Sequence, residues 1–224
     1  MMRFRKVTIT ISSVIVCAIG LLLLSRCGDP SVAAKWKFRA GSTLARTDMG
    51  ARIVVDKGTI YFISKDVYDI RENKDEEDYL RAVDAETGRE RWNYKFPGSR
   101  ESGPAVGDGL IYFGMSGIGS GIAHLYAVDA ATGQKVWRTG IGDYTQELLP
   151  PIVDHGLVYF GTKKALDEDN GSLFYLYALD AKSAEQRWTR KMEGGASVYT
   201  VSNGVVYFGE KKGGQVCGQL PVCM

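Results

Sequence analysis

Leu125-Tyr-Ala-Val-Asp-Ala-Ala-Thr-Gly-Gln-Lys-Val-Trp137 has two near-copies in the same chain. They are Leu80-Arg-Ala-Val-Asp-Ala-Glu-Thr-Gly-Arg-Glu-Arg-Trp92 and Leu176-Tyr-Ala-Leu-Asp-Ala-Lys-Ser-Ala-Glu-Gln-Arg-Trp188. A short apolar element precedes each copy and recurs once more: Gly58-Thr-Ile-Tyr-Phe62, Gly109-Leu-Ile-Tyr-Phe113, Gly156-Leu-Val-Tyr-Phe160 and Gly204-Val-Val-Tyr-Phe208. Successive aromatic pairs are 51, 47 and 48 residues apart. That period is the size of a four-stranded propeller blade; helical-pair repeats are usually shorter and poorer in Gly and β-branched residues.

Each period parses into four strands. In the second they are expected near Gly103–Gly107, Leu110–Gly114, Ala123–Asp129 and Gln134–Thr139. Val106-Gly-Asp-Gly-Leu110 supplies a tight hairpin turn. In Asp129-Ala-Ala-Thr-Gly133 the Asp side chain accepts backbone N–H bonds within the turn, and Gly133 tolerates a positive φ. Leu110–Phe113 is apolar at every position, as befits a strand covered on both faces. Stacked blades give that coverage, and the broad Trp ring covers the joint between them if its N–H finds an acceptor.

The pattern Ala82-x-Asp84-x-x-Thr87-Gly88-x-x-x-Trp92, repeated as Ala127-x-Asp129-x-x-Thr132-Gly133-x-x-x-Trp137, resembles the tryptophan-docking motif of PQQ-like (quinoprotein-type) β-propeller repeats. Quinoprotein alcohol dehydrogenases and BamB-like lipoproteins share this motif. The resemblance covers roughly residues 34–212 and implies an all-β fold of antiparallel blades. Trp36, Trp92, Trp137 and Trp188 would be the blade-docking residues, with Asp84, Asp129, Asp180, Gly88 and Gly133 shaping the turns that receive them. The third copy departs at Ser183-Ala184. Alanine resists a positive φ by about 1 kcal/mol, so that turn should differ or be strained.

Three complete repeats and part of a fourth give about four blades. Val198–Ser202, Val205–Gly209 and Gln215–Leu220 would form three strands of the last. Ala34-Lys-Trp36-Lys-Phe38 is a candidate for its missing fourth, closing the ring and hiding a strand edge. An open arc, a ring completed by a second chain and a truncated product stay as alternatives. An open arc exposes apolar blade faces and invites self-association.

Residues 1–27 read as a signal peptide or membrane anchor, and 28–224 as the propeller. Arg3, Arg5 and Lys6 precede the uncharged run Val7–Leu24, the pattern of a segment entering a membrane with its N-terminus inside. Leu24-Ser25-Arg26-Cys27 resembles a lipoprotein box, making Cys27 a lipidation candidate; Arg26, where a small residue is expected, fits an uncleaved anchor instead. Either way the propeller is expected on the exported side, periplasmic or extracellular. Cys217 and Cys223 would then form a small disulfide loop or stay as free thiols.

The formal charge of +2 becomes −2 once residues 1–26 are set aside. Such a balance gives no reason to expect a nucleic-acid or anionic-lipid surface. Two acidic insertions, Asp66–Asp78 and Lys163–Ser172, fall at the same blade position and should emerge at one end. Asp167, Asp169 and Asn170 carry oxygens suited to Ca²⁺ but lack the distal Glu of a calcium loop, and a solvated hairpin is the simpler reading. Gly114–Gly121 leads into a strand rather than a helix, so it does not cradle phosphate. His124 and His155 stand in different repeats with no nucleophile pattern beside them.

The expectation is therefore no catalytic residue, no metal and no cofactor. The chain reads as a membrane-tethered, non-enzymatic scaffold binding protein partners through loops at one propeller end. The competing readings are a truncated relative of a PQQ-dependent dehydrogenase, for which a Cys-Cys pair is missing, and a ligand-sensing ectodomain.

Overall fold

The computed structural model describes residues 36–38, 43–44, 52–66, 77–97, 100–116, 122–141, 145–165, 172–192, 196–210 and 219–221. Cys27 and the leader, Cys217 and Cys223, Asp167, Asp169 and Asn170, and residues 117–121 lie outside them. All the regular structure among the described residues is β.

The strands group by repeat. The first sheet contains β1 (Thr43–Leu44), β2 (Val54–Asp56), β3 (Thr59–Asp66), β4 (Glu77–Asp84) and β5 (Glu90–Phe96). The second contains β6 (Arg100–Glu101), β7 (Ala105–Gly107), β8 (Leu110–Ser116), β9 (Ala123–Asp129) and β10 (Lys135–Ile141). The third contains β11 (Thr145–Leu148), β12 (Ile152–Asp154), β13 (Leu157–Ala165), β14 (Ser172–Asp180) and β15 (Gln186–Met192). The fourth contains β16 (Ala196–Ser202), β17 (Val205–Glu210) and β18 (Gln219–Pro221). Every pairing is antiparallel between neighbours, giving up-and-down meanders.

One expectation needs correcting. The first strand of a blade is not the continuous Gly103–Gly107 but two short pieces, β6 and β7, both paired with β8. The third sheet repeats this with β11 and β12 on β13. Prolines explain the break: Pro104 and Pro150-Pro151 stand in the gaps, and a proline has no N–H for the ladder. Ser102 and Leu149 still bridge each gap, their N–H groups bonding the Gly114 and Gly161 carbonyls at 2.8 Å.

The hairpins joining first and second strands are all two-residue turns with positive φ at both positions: Lys57-Gly58, Asp108-Gly109, His155-Gly156 and Asn203-Gly204. This is the type I′ geometry, whose twist matches that of the flanking strands. His155 is thus a turn residue, as its sequence context suggests.

Apolar side chains fill the spaces between consecutive sheets. Tyr61, Ile63, Leu80 and Phe96 of the first face Ile111, Phe113, Tyr126 and Val128 of the second. Phe96 and Phe113 lie 4.7 Å apart, and Phe113 stacks on Tyr126 at 5.0 Å. A second cluster joins sheets two and three around Tyr112, Leu125, Val158 and Phe160, and a third joins sheets three and four around Tyr159, Leu176, Val206 and Phe208. Ile60, Phe62 and Val83, on the other face of the first sheet, are covered by Trp36 and Phe38.

Candidate functional site

The recurrent local structure is the joint between sheets, and it begins in the turn. The Asp129 carboxylate accepts from the backbone N–H of Ala131 and Thr132 and from the Thr132 hydroxyl, at 2.8–3.0 Å. Asp84 makes the same bonds to Glu86 and Thr87, and Asp180 bonds the N–H groups of Lys182 and Ser183. Asp84 and Asp180 also take an arginine seven residues on, Arg91 at 2.5 Å and Arg187 at 2.9 Å.

These partners favour the charged form. Arg91 and the Thr87 N–H hold Asp84 well below the usual carboxylate range, and Arg187 and the Ser183 N–H do the same for Asp180. Asp129 is lowered chiefly by the Thr132 hydroxyl and N–H. Because the folded values lie below the unfolded value of about 3.9, the stabilisation is complete above that pH and is lost as acid titrates the folded carboxylates. The triple variant Asp84→Asn, Asp129→Asn, Asp180→Asn is expected to lose less of its thermal midpoint than the parent between pH 6 and pH 2.5, measured by circular dichroism.

Each turn presents one carbonyl to the preceding blade position. Trp92 Nε1 donates to the Ala130 carbonyl at 3.1 Å, Trp137 Nε1 to Ala181 at 3.0 Å, and Trp36 Nε1 to Ala85 at 3.0 Å. Trp36 thus makes the same indole-to-carbonyl contact as Trp92 and Trp137, on the first sheet, while the fourth sheet holds β16, β17 and β18 among the described residues, without the expected pairing of Ala34–Phe38. Trp188 packs against the fourth sheet within the third cluster, 6.0 Å from Tyr159.

Sequence reasoning missed two parts of the joint. The first is a second donor: Tyr61 Oη bonds the same Ala130 carbonyl at 3.2 Å, and Tyr112 Oη bonds the same Ala181 carbonyl at 3.1 Å. Burial pushes both phenols above their ordinary range, so they stay protonated as donors. The repeated Tyr of the Tyr-Phe pairs carried this signal, two strands ahead of the Trp beside which it sits. The second is the platform. A Cβ on Gly88 would stand 2.5 Å from the Trp36 ring and one on Gly133 2.7 Å from the Trp92 ring, so each glycine is set by close approach as well as by its φ of 72° or 74°. At the third turn Ala184 adopts φ 62° and keeps the same backbone bond to the Asp180 carbonyl, so of the two expectations for this turn strain is the one observed.

The two histidines do not meet. His155 Nδ1 bonds Asp154 at 2.9 Å, and His124 lies 2.8 Å from Arg138. Burial, then the Arg138 charge, lowers the His124 pKa. Among the described residues no three His, Cys, Asp or Glu side chains gather as a metal site.

Repeated meanders joined by indole and phenol donors on one turn carbonyl define a tryptophan-docked β-propeller. The chain matches the family model described as outer membrane protein assembly factor BamB over residues 31–161 and again over 75–219, and it belongs to that family of PQQ-like repeats. The two matches overlap, as a repeated sequence allows. No curated protein matches the chain. Among solved structures it is similar to the β-propeller domain of the trilobed protease from Pyrococcus furiosus, described as having an open velcro topology, with 10% identity, 79% of this chain, 52% of that one and a TM-score of 0.51. The computationally designed Ika4 protein matches with 13% identity, 75% and 90% coverage and a TM-score of 0.50. Pyrococcus horikoshii acylaminoacyl peptidase matches with 9% identity, covering 71% of this chain and 28% of that one, at a TM-score of 0.50. The chain thus spans about half of the trilobed protease's propeller-domain chain and under a third of the peptidase, and these likenesses concern the fold.

Proposed function

We propose that this chain is a non-catalytic β-propeller of the cell envelope, exported and tethered to the membrane through its N-terminus, that holds protein partners at one end of the propeller. The family match carries the reading, since its description names an assembly factor. The topology supports it. The β3–β4 and β13–β14 pairs occupy equivalent places in their sheets, so the strand ends Asp66 and Glu77 and the strand ends Ala165 and Ser172, between which the acidic sequences 67–76 and 166–171 fall, lie at the same end of their sheets. Acidic loops at one end select basic partner surfaces and disfavour acidic ones.

The test is cross-linking of the full chain in its own membranes. Asp75→Lys, Glu76→Lys, Asp167→Lys and Asp169→Lys together are expected to reduce recovered partners by roughly tenfold, the size of a loss of favourable charge contacts, while the thermal midpoint holds. Undiminished partner recovery, or none from the parent chain, would refute the reading. Mass spectrometry of the mature N-terminus separates a lipid on Cys27 from an uncleaved anchor.

A further inference from the structure

Each joint pairs a tyrosine of one sheet with a valine of the next. Tyr61 shares a cluster with Val106, Tyr112 with Val153, and Tyr159 with Val201. The register makes these equivalent, the tyrosines on the second strand and the valines on the first. One tyrosine and one valine of the series are left over. Tyr207 on β17 is 42% exposed, where its counterparts are at 3%, 0% and 0%. Val55 on β2 is 61% exposed, where Val106, Val153 and Val201 are half-buried. The two leftover residues lie at opposite ends of the series of sheets, and neither covers the other.

The receiving half of a fourth joint is already assembled on the first sheet. The Ala85 carbonyl holds the Trp36 indole, and the Trp36 ring lies on Gly88, as Trp92 lies on Gly133. At the two joints where the donors and the acceptor turn are all described, such a carbonyl takes a phenol beside the indole. The phenol that repeats this chemistry is that of Tyr207. In the joints already made, this arrangement buries the tyrosine and shields the valine, so continuing it covers both exposed residues with the surface the sequence has matched to them.

We propose that two copies of this chain dock end to end through this joint, the fourth sheet of one on the first sheet of the other, with Tyr207 packed on Val55 and donating to the Ala85 carbonyl beside Trp36. The contact uses different surfaces on the two copies, so repetition gives a closed ring or an open chain of copies. It does not depend on the proposed envelope function.

The experiment uses the full chain in detergent. Differently tagged copies carrying Val55→Cys or Tyr207→Cys are mixed and oxidised beside the parent, which keeps its own four cysteines. A covalent hetero-dimer is expected, well above the parent background. The double variant Val55→Cys, Tyr207→Cys should also link between copies. Val55→Asp and Tyr207→Asp should each shift the solution mass of the chain to that of a single copy that keeps the parent's circular dichroism spectrum, because both positions are exposed in the single chain. A single-copy mass for the parent, or a disulfide formed within one copy of the double variant, overturns the proposal.

Discussion

Trp137→Ala is expected to lower the free energy of unfolding by about 3 kcal/mol, read from urea denaturation. Truncating a tryptophan in a packed site typically costs about 3–5 kcal/mol, and Trp137 is half-buried, which places it at the low end. The loss has two sources that further variants separate. Trp137→Phe keeps most of the ring and removes the Nε1 donor, for about 1 kcal/mol. Tyr112→Phe removes the second donor to the same carbonyl, also for about 1 kcal/mol, since either donor alone still satisfies Ala181. Combined, Trp137→Phe and Tyr112→Phe strip a carbonyl whose residue is fully buried of both partners. The double variant should therefore lose more than the sum of the singles by about 1 kcal/mol or more. Strict additivity would mean that the two donors do not share one acceptor.

The repeat made the sheets legible because period and chemistry agree. Uniformly apolar strands such as Leu110–Phe113 require cover on both faces, and Ile111, Tyr112 and Phe113 are indeed fully buried. Asp129 and Gly133 could be assigned to their turn because an aspartate capping backbone N–H groups and a residue at positive φ are local demands, visible in five residues of sequence. The broken first strand was harder to foresee. Pro104, Pro150 and Pro151 were visible, but a proline says only that one N–H is missing, and the pairing of both fragments on the same neighbour depends on strands contributed later in the chain.

The joint itself was half legible. A tryptophan at fixed distance from Asp-x-x-Thr-Gly points to docking, yet its acceptor belongs to the following repeat, 38 residues away for Trp92 and 44 for Trp137. The tyrosine is 69 residues from the same carbonyl. Such contacts follow only when sheets stand side by side, so composition within one repeat cannot disclose them. For the same reason the exposure of Val55 and Tyr207 could not be read from their repeats, in which they look like every other valine and tyrosine of the series.

Gly133→Ala and Ala184→Gly should move stability in opposite directions, although each exchanges the same two residues at equivalent turns. At Gly133 an alanine has to hold φ 74°, a conformation costing L-residues about 1–2 kcal/mol. Its Cβ would also stand 2.7 Å from carbons of the Trp92 ring, so the indole has to move off the Ala130 carbonyl or the sheets must part, at about 1–3 kcal/mol for overpacking. A combined loss of about 3 kcal/mol is expected. Ala184→Gly removes the left-handed strain from a turn that keeps the same backbone bond, and Ala184 and Trp137 border the same apolar cluster. A gain of about 1 kcal/mol follows, reduced by the added freedom of glycine in the unfolded chain. Urea denaturation of the two variants beside the parent measures both. If Gly133→Ala cost no more than the backbone strain, the ring would not be resting on the glycine, and close approach would lose its place in the docking of one sheet on the next.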